Sequence, residues 1–182
     1  LLLRKTNVPV TLLADALQEL TNKNPENLRL TAALADLHLE AGQKEQALHA
    51  YEKVYTLAQH NQFKSQVLFQ IGHVHFMNKN ADSAREKLLQ AIQHEPVYPS
   101  AYNLLAYLYA DQGVKLEQAL DYANKALAKT PNRHDYLDTK GYVLLKLGKN
   151  QEATEVFKKA LKLAPNDSII EQHLKQAKYD IK

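Results

Sequence analysis

The sequence holds no cysteine, no tryptophan and one methionine in 182 residues, with only five glycines and six prolines. The missing cysteines exclude disulfides, thiolate nucleophiles and thiolate zinc sites, and they suit a reducing or an oxidising compartment equally. So little glycine and proline argues against a turn-rich β architecture, and 45% hydrophobic residues argues against disorder. Long helices are what remains. The formal charge of +3 is too small for a phosphate-binding surface, so no nucleic-acid partner is expected. Its excess lies in the C-terminal third, at Lys158, Lys159, Lys162, Lys175 and Lys178. That reads as a solvated helix face or as a docking patch for an acidic partner or membrane surface.

No apolar run reaches signal or transmembrane length, so membrane insertion is not expected. The opening "LLLRKTNVPV" lacks an initiator methionine, and the chain reads as part of something longer or as a processed form. A soluble module of cytoplasm or periplasm is the expectation.

What is present is a repeat. Four segments align: "LHLEAGQKEQALHAYEKVYTLAQ", "VHFMNKNADSAREKLLQAIQHEP", "LYADQGVKLEQALDYANKALAKTP" and "LLKLGKNQEATEVFKKALKLAP". Each reads as a helix end, a tight loop and a second helix opening on Ala47, Ala84, Ala119 or Ala153. Seven residues on stand Val54, Ala91, Ala126 and Ala160, and three of these helices stop before Pro96, Pro131 or Pro165. Gly42, Gly113 and Gly148 fall in the loops, where positive φ is needed. Gly72 and Gly141, with Ala35 and Ala106, fall in mid-helix, where a missing side chain lets a partner helix approach.

These segments resemble the tetratricopeptide repeat family, with its period of about 34 residues, over roughly residues 26–166. The resemblance implies an all-α, right-handed superhelical solenoid of about four helix-turn-helix repeats. It divides the chain into an N-terminal helix at 1–25, possible half of a preceding repeat, repeats at 26–61, 62–98, 99–132 and 133–166, and a capping helix at 167–182. Departures are local. Gln59 replaces a boundary proline, "HNQ" inserts three residues, "GVKLEQA" carries one extra, Lys79 stands where glycine is usual, and Lys140 takes an apolar site. In the N-terminal helix Leu13, Leu17 and Leu20 share a face. In the last one Ser168 is the expected cap, Leu174 points inward, and Lys175 takes the small-residue site, so no further helix packs there.

"IGHVHFMNKN" raises the question of a metal. Leu68, Ile71, Gly72 and His75 form one helical stripe, which makes His75 a packing residue equivalent to His38, Tyr109 and Leu144. His73 lies about 200° away round the helix, so the two imidazoles do not chelate one ion. No metal and no other cofactor is expected. Nor is there a nucleophile elbow, Walker loop or HExxH motif, and the chain reads as a non-enzyme.

A second stripe, Phe69, His73, Phe76 and Met77, points away from that core. Its equivalents include Asn103 and Tyr107, then Asp138, Tyr142 and Leu145. In the family's solenoid these positions line the concave groove, so the resemblance implies a protein or peptide partner there, with Asn103 free to bond its backbone. The family's basic carboxylate clamp is missing, since the matching places hold Asp36, His73, Asn103, Tyr107, Asp138 and Tyr142. Two readings stand beside each other: an interaction scaffold or adaptor with an aromatic groove, or rings that pack internally within a spacer or self-association module of a larger protein, whose catalytic part, where it is an enzyme, lies outside these residues.

Overall fold

A computed structural model describes residues 9–179. Among them the chain forms α1 (Val10–Lys23), α2 (Leu28–Glu40), α3 (Lys44–Leu57), α4 (Asn61–Met77), α5 (Ala81–His94), α6 (Pro99–Gln112), α7 (Leu116–Lys129), α8 (His134–Lys146), α9 (Asn150–Leu163) and α10 (Ser168–Tyr179), with no strand. Helices α1–α5 fall in one compact unit and α6–α10 in a second, divided between Glu95 and Pro96.

In both units the helices pair through antiparallel hairpins closed by one kind of turn. The carbonyls of His38, His75, Tyr109 and Leu144 accept the N–H groups of Gln43, Asn80, Val114 and Lys149 at 2.8–3.0 Å. These are the long bonds of Schellman closures, which need a left-handed residue just past the helix end. Gly42, Gly113 and Gly148 supply it with φ of 74°, 67° and 73°. The fourth position is Lys79, whose φ of 59° puts a Cβ-bearing residue in the same conformation. Lys115, in the loop with the extra residue, is left-handed as well.

Lys79 is exposed, so its conformation is the main thing the side chain changes. A left-handed L-residue costs ~1–2 kcal/mol, and glycine gives back ~0.4–1 kcal/mol through the freedom of the unfolded chain. Lys79→Gly is therefore expected to stabilise the protein by about 0.5–1 kcal/mol, read as a higher urea midpoint with an unchanged slope. An unaltered or lower midpoint would contradict the strain.

Second helices carry small residues seven apart on the buried line. Ala47 and Val54, Ala84 and Ala91, Ala119 and Ala126, and Ala153 and Ala160 are all fully buried. In α1 the same step joins Ala14 and Thr21, both buried, and α1 packs on α2 as α3 packs on α4. Thus α1 behaves as a second helix. Its buried line is nonetheless not the leucine face expected above, for Leu20 is 50% exposed and Leu13 and Leu17 only half-buried. The close approach selects the small residue, as it does elsewhere in the chain.

First helices meet their partners at Ala35, Gly72, Ala106 and Gly141, all buried. A Cβ on Gly72 would lie 3.0 Å from Leu88 Cγ, and one on Gly141 only 2.4 Å from Phe157 Cε1. Lys175, at the same register in α10, is exposed. Helix α10 packs on α9 and α8, burying Ile170 and Ala177, with Leu174 half-buried beside them. Its N-terminus is capped by Asp167 rather than Ser168: Asp167 Oδ1 accepts from the backbone N–H of Ile169 at 3.0 Å and of Ile170 at 3.2 Å. Both residues are good caps, and the carboxylate, one position earlier, reaches two free N–H groups.

Candidate functional site

The residues expected to line a groove fall in the two units and form one aromatic face in each. In the first unit the face lies on α4. Phe69 and His73 stack with centroids 6.0 Å apart and planes 3° from parallel, and His73 lies 6.4 Å from Phe76. The i, i+4, i+7 spacing on one helix produces this row directly. All three rings are half-buried and Met77 is 40% exposed. His75 is half-buried, less enclosed than its equivalents His38, Tyr109 and Leu144. Among the described residues no group of three or more histidines and carboxylates is placed to hold a metal ion.

Burial holds the His73 imidazole below the ordinary histidine value, and burial together with Lys87 does the same for His75 against the opposing pull of Glu52 and Glu86. Both rings are thus neutral near pH 7 when folded. The unfolded chain protonates them near pH ~6.5, so below that pH the unfolded state binds more protons and stability falls with falling pH. We expect the urea midpoint to drop between about pH 7.5 and about 5.5, and His73→Gln to flatten part of the drop. An identical pH slope in wild type and variant would refute the assignment.

Elsewhere in this unit, Asp36 is engaged by the second helix: the Tyr51 hydroxyl donates to Asp36 Oδ1 at 2.6 Å. Burial, then that bond and the carboxylate's charge, push the Tyr51 phenol far up. A cavity of about 570 Å³ opens beside it, lined by Leu28, Ala32 and Phe63 among others.

The second unit's face is assembled from three helices. Tyr107 on α6 stacks on Tyr142 of α8 at 5.6 Å and 22°, and Tyr142 stacks in turn on His173 of α10 at 5.1 Å and 26°. His173 also tilts against the buried Phe157 ring at 5.6 Å and hydrogen-bonds Asp138 Oδ1 through Nδ1 at 2.8 Å. The side chains of His173 and Asp138 keep 20% and 18% of their surface. Lys146 sets its ammonium 5.1 Å from the Tyr142 centroid, within range of a cation–π contact. Burial, then Asp111, Tyr142 and Asp138, raise the Tyr107 phenol above its usual range.

Two side chains behave differently from the expectation of a lining. Leu145 is 7% exposed and belongs to the core cluster with Leu144, Ala153 and Phe157, so it offers no surface to a ligand in this conformation. Asn103 is half-buried, and its Oδ1 is buried with no hydrogen-bond partner. His173 was missed from the sequence because it lies outside the repeats, where no equivalent position points to it.

Tetratricopeptide repeat profiles match residues 29–61, 69–134 and 134–167. The chain belongs to the tetratricopeptide repeat family, and its fold is that family's all-α solenoid. Proteins of this build present extended binding surfaces, and this chain is a protein-interaction module. It is 28% identical over 133 residues to the photosystem I assembly protein Ycf3 of Rippkaea orientalis, covering 72% of this chain and 64% of that protein's length. Among solved structures, a tetratricopeptide repeat protein from Parabacteroides merdae matches with a TM-score of 0.78 at 15% identity, over 94% of this chain and 67% of that one. Crystal structures of MamA, at 0.71 and 22% over 85% and 88%, and of YrrB, described as having an unusual peptide-binding site, at 0.70 and 14% over 91% and 84%, share the fold. Among the described residues no helix is long and apolar enough to cross a membrane.

Proposed function

We propose that this module is a scaffold or adaptor that docks a peptide or helix of a partner protein on the aromatic faces of its first helices. The observation that supports this most is the row Tyr107, Tyr142, His173, half-buried rings drawn from three separate helices and stacked on one another. Rings already held in place bury much area at little entropy cost. The Phe69, His73, Phe76, Met77 face on α4 is a second docking surface of the same kind. The relative named for photosystem I assembly suggests, by extension, a partner that is itself being built into a complex.

The test is capture from a lysate of the source cells with wild type, Phe69→Ala, and the pair Tyr107→Ala/Tyr142→Ala, each melted in parallel. Partners lost only with still-folded variants are the expected result, and each variant reports its own face. Equal capture by all three would overturn the reading. Large losses of melting temperature in the variants would assign the rings to packing instead, because truncating a buried aromatic costs ~3–5 kcal/mol.

A further inference from the structure

We propose a further interaction surface, at the C-terminal ends of α7 and α9, that takes an acidic partner segment in which a bulky apolar side chain sits one helical turn from carboxylates. It uses none of the stacked rings and is independent of the docking role above. A cavity of about 440 Å³ opens there, within the size range of ligand pockets. Its apolar wall includes Leu127 of α7, Leu137 of α8 and Leu163 of α9, and its polar edge is formed by Lys159, Lys162 and Asn132. Leu127 and Leu137 are half-buried, while Leu163 is 46% exposed. Lys159, Lys162 and Leu163 stand at i, i+3 and i+4, so they are neighbours on one face of α9.

The packing of the repeat does not require this combination. Counted from the buried alanine near the start of each second helix, the same three places hold Lys53, Thr56 and Leu57 in α3, Gln90, Gln93 and His94 in α5, and Lys125, Ala128 and Lys129 in α7. Of these four helices, α9 alone sets two lysines beside a leucine. The negative end of the helix dipole accounts for one cation in the last turn, and Lys162 supplies it. It accounts neither for Lys159 nor for an exposed leucine.

The two ammonium groups are not answered by the neighbouring carboxylates. Asp135 bonds Arg133 at 2.9 Å, Asp138 bonds His173 at 2.8 Å, Glu155 bonds Lys158 at 2.6 Å, and Asp167 accepts two backbone N–H groups of α10. The bond from Lys158 holds the Glu155 carboxyl below the usual range, and Lys159 and Lys162 add to this as charges that do not bond it. Neither lysine makes a hydrogen bond or ion pair among the described residues. A ligand that fits must therefore bring negative charge to two neighbouring points and an apolar group to the leucines. An acidic amphipathic segment does both: its apolar side chain leaves water against Leu127, Leu137 and Leu163, and its carboxylates at the rim fix register and exclude basic competitors. An anionic membrane is read by clusters of about four to eight basic residues, whereas two lysines border this cavity.

The experiment uses the full chain, labelled with nitrogen-15, and the blocked probe acetyl-Ala-Glu-Ala-Ala-Leu-Ala-Ala-Glu-Ala-amide, whose glutamates are each spaced one helical turn from the leucine. In one counterpart glutamine replaces both glutamates, and in another alanine replaces the leucine. Saturable shifts of the Lys159, Lys162 and Leu163 backbone amides and of the Asn132 side-chain amide are expected with the first probe, and at least severalfold weaker binding with either counterpart. Lys159→Gln/Lys162→Gln, two exposed changes, should weaken the probe roughly three- to tenfold, the scale of two exposed ion pairs, with the melting temperature nearly unchanged. No shifts at these residues, an equal response to either counterpart, or indifference to the lysine changes would each overturn the assignment. So would octanoate or phosphatidylserine vesicles that reproduce the shifts where the peptide does not, since the surface would then belong to a lipid.

Discussion

Phe157→Ala is expected to cost ~3–5 kcal/mol, the range for deleting a fully buried aromatic side chain. The ring is 0% exposed and sits where α9 faces α8, with Gly141 beneath it and His173 of α10 tilted against its edge. Three helices therefore share this one side chain. The measurement is urea unfolding followed by circular dichroism. Because a typical domain has only about 5–15 kcal/mol to lose, the variant should unfold at a much lower midpoint or be partly unfolded in buffer. A loss below about 1 kcal/mol would mean that α8 and α9 collapse onto the vacancy, the one way a site of this kind escapes its cavity cost.

The reciprocal change attacks the same contact from the other helix. Gly141→Leu must place a Cβ where Phe157 Cε1, Cδ1 and Cζ lie 2.4, 2.7 and 2.8 Å away. No rotamer of the new residue avoids this, since the clash begins at the first side-chain atom. Overpacking of a close-packed core costs ~1–3 kcal/mol or more, and here α8 and α9 must part to accommodate it. Glycine's poor helix propensity offsets up to about 1 kcal/mol. A destabilisation of at least ~2 kcal/mol is therefore expected. Pairing Gly141→Ala with Phe157→Leu should recover part of each single loss, which a double-mutant cycle would show as a coupling between contacting residues. Strictly additive losses would contradict the contact.

The packing contacts were legible because the residues that make them are small. Ala47, Ala84, Ala119 and Ala153, their partners seven residues on, and Gly72 and Gly141 stand out in any alignment of the repeats, and each is buried where it was placed. Loop glycines were legible for the same reason, since φ near 70° strongly favours glycine. Lys79 shows the limit of that logic: the turn's hydrogen bonds impose the conformation even on a residue that resists it. Leu20 and Leu145 show another limit, because periodicity names a stripe but not how wide the neighbouring helix spreads over it. Leu20 lies beyond that spread and Leu145 within it. Asp167 was passed over for Ser168 because both are capping residues and only geometry decides which oxygen faces the free N–H groups.

The aromatic faces were half legible. Phe69, His73, Tyr107, Tyr142 and Asp138 could be placed on outward stripes from spacing alone. Their mutual stacking in the second unit could not, because it depends on α6, α8 and α10 lying side by side. His173 has no repeat equivalent, and Asn103 gives no sign in the sequence that its oxygen goes unpaired.

The third ring of that face has a different dynamic standing from the other two. Tyr142 sits on α8, which packs against α6, α7, α9 and α10, whereas the packing of α10 among the described residues is chiefly against α9 and α8. An element with fewer packed neighbours opens locally at lower free energy than one held on every side. His173 therefore belongs to the looser edge of the unit, and its stacking on Tyr142 and bond to Asp138 are the contacts such an opening gives up first. A ligand that covers all three rings would quench that motion, and part of its binding energy would be spent in holding α10 still.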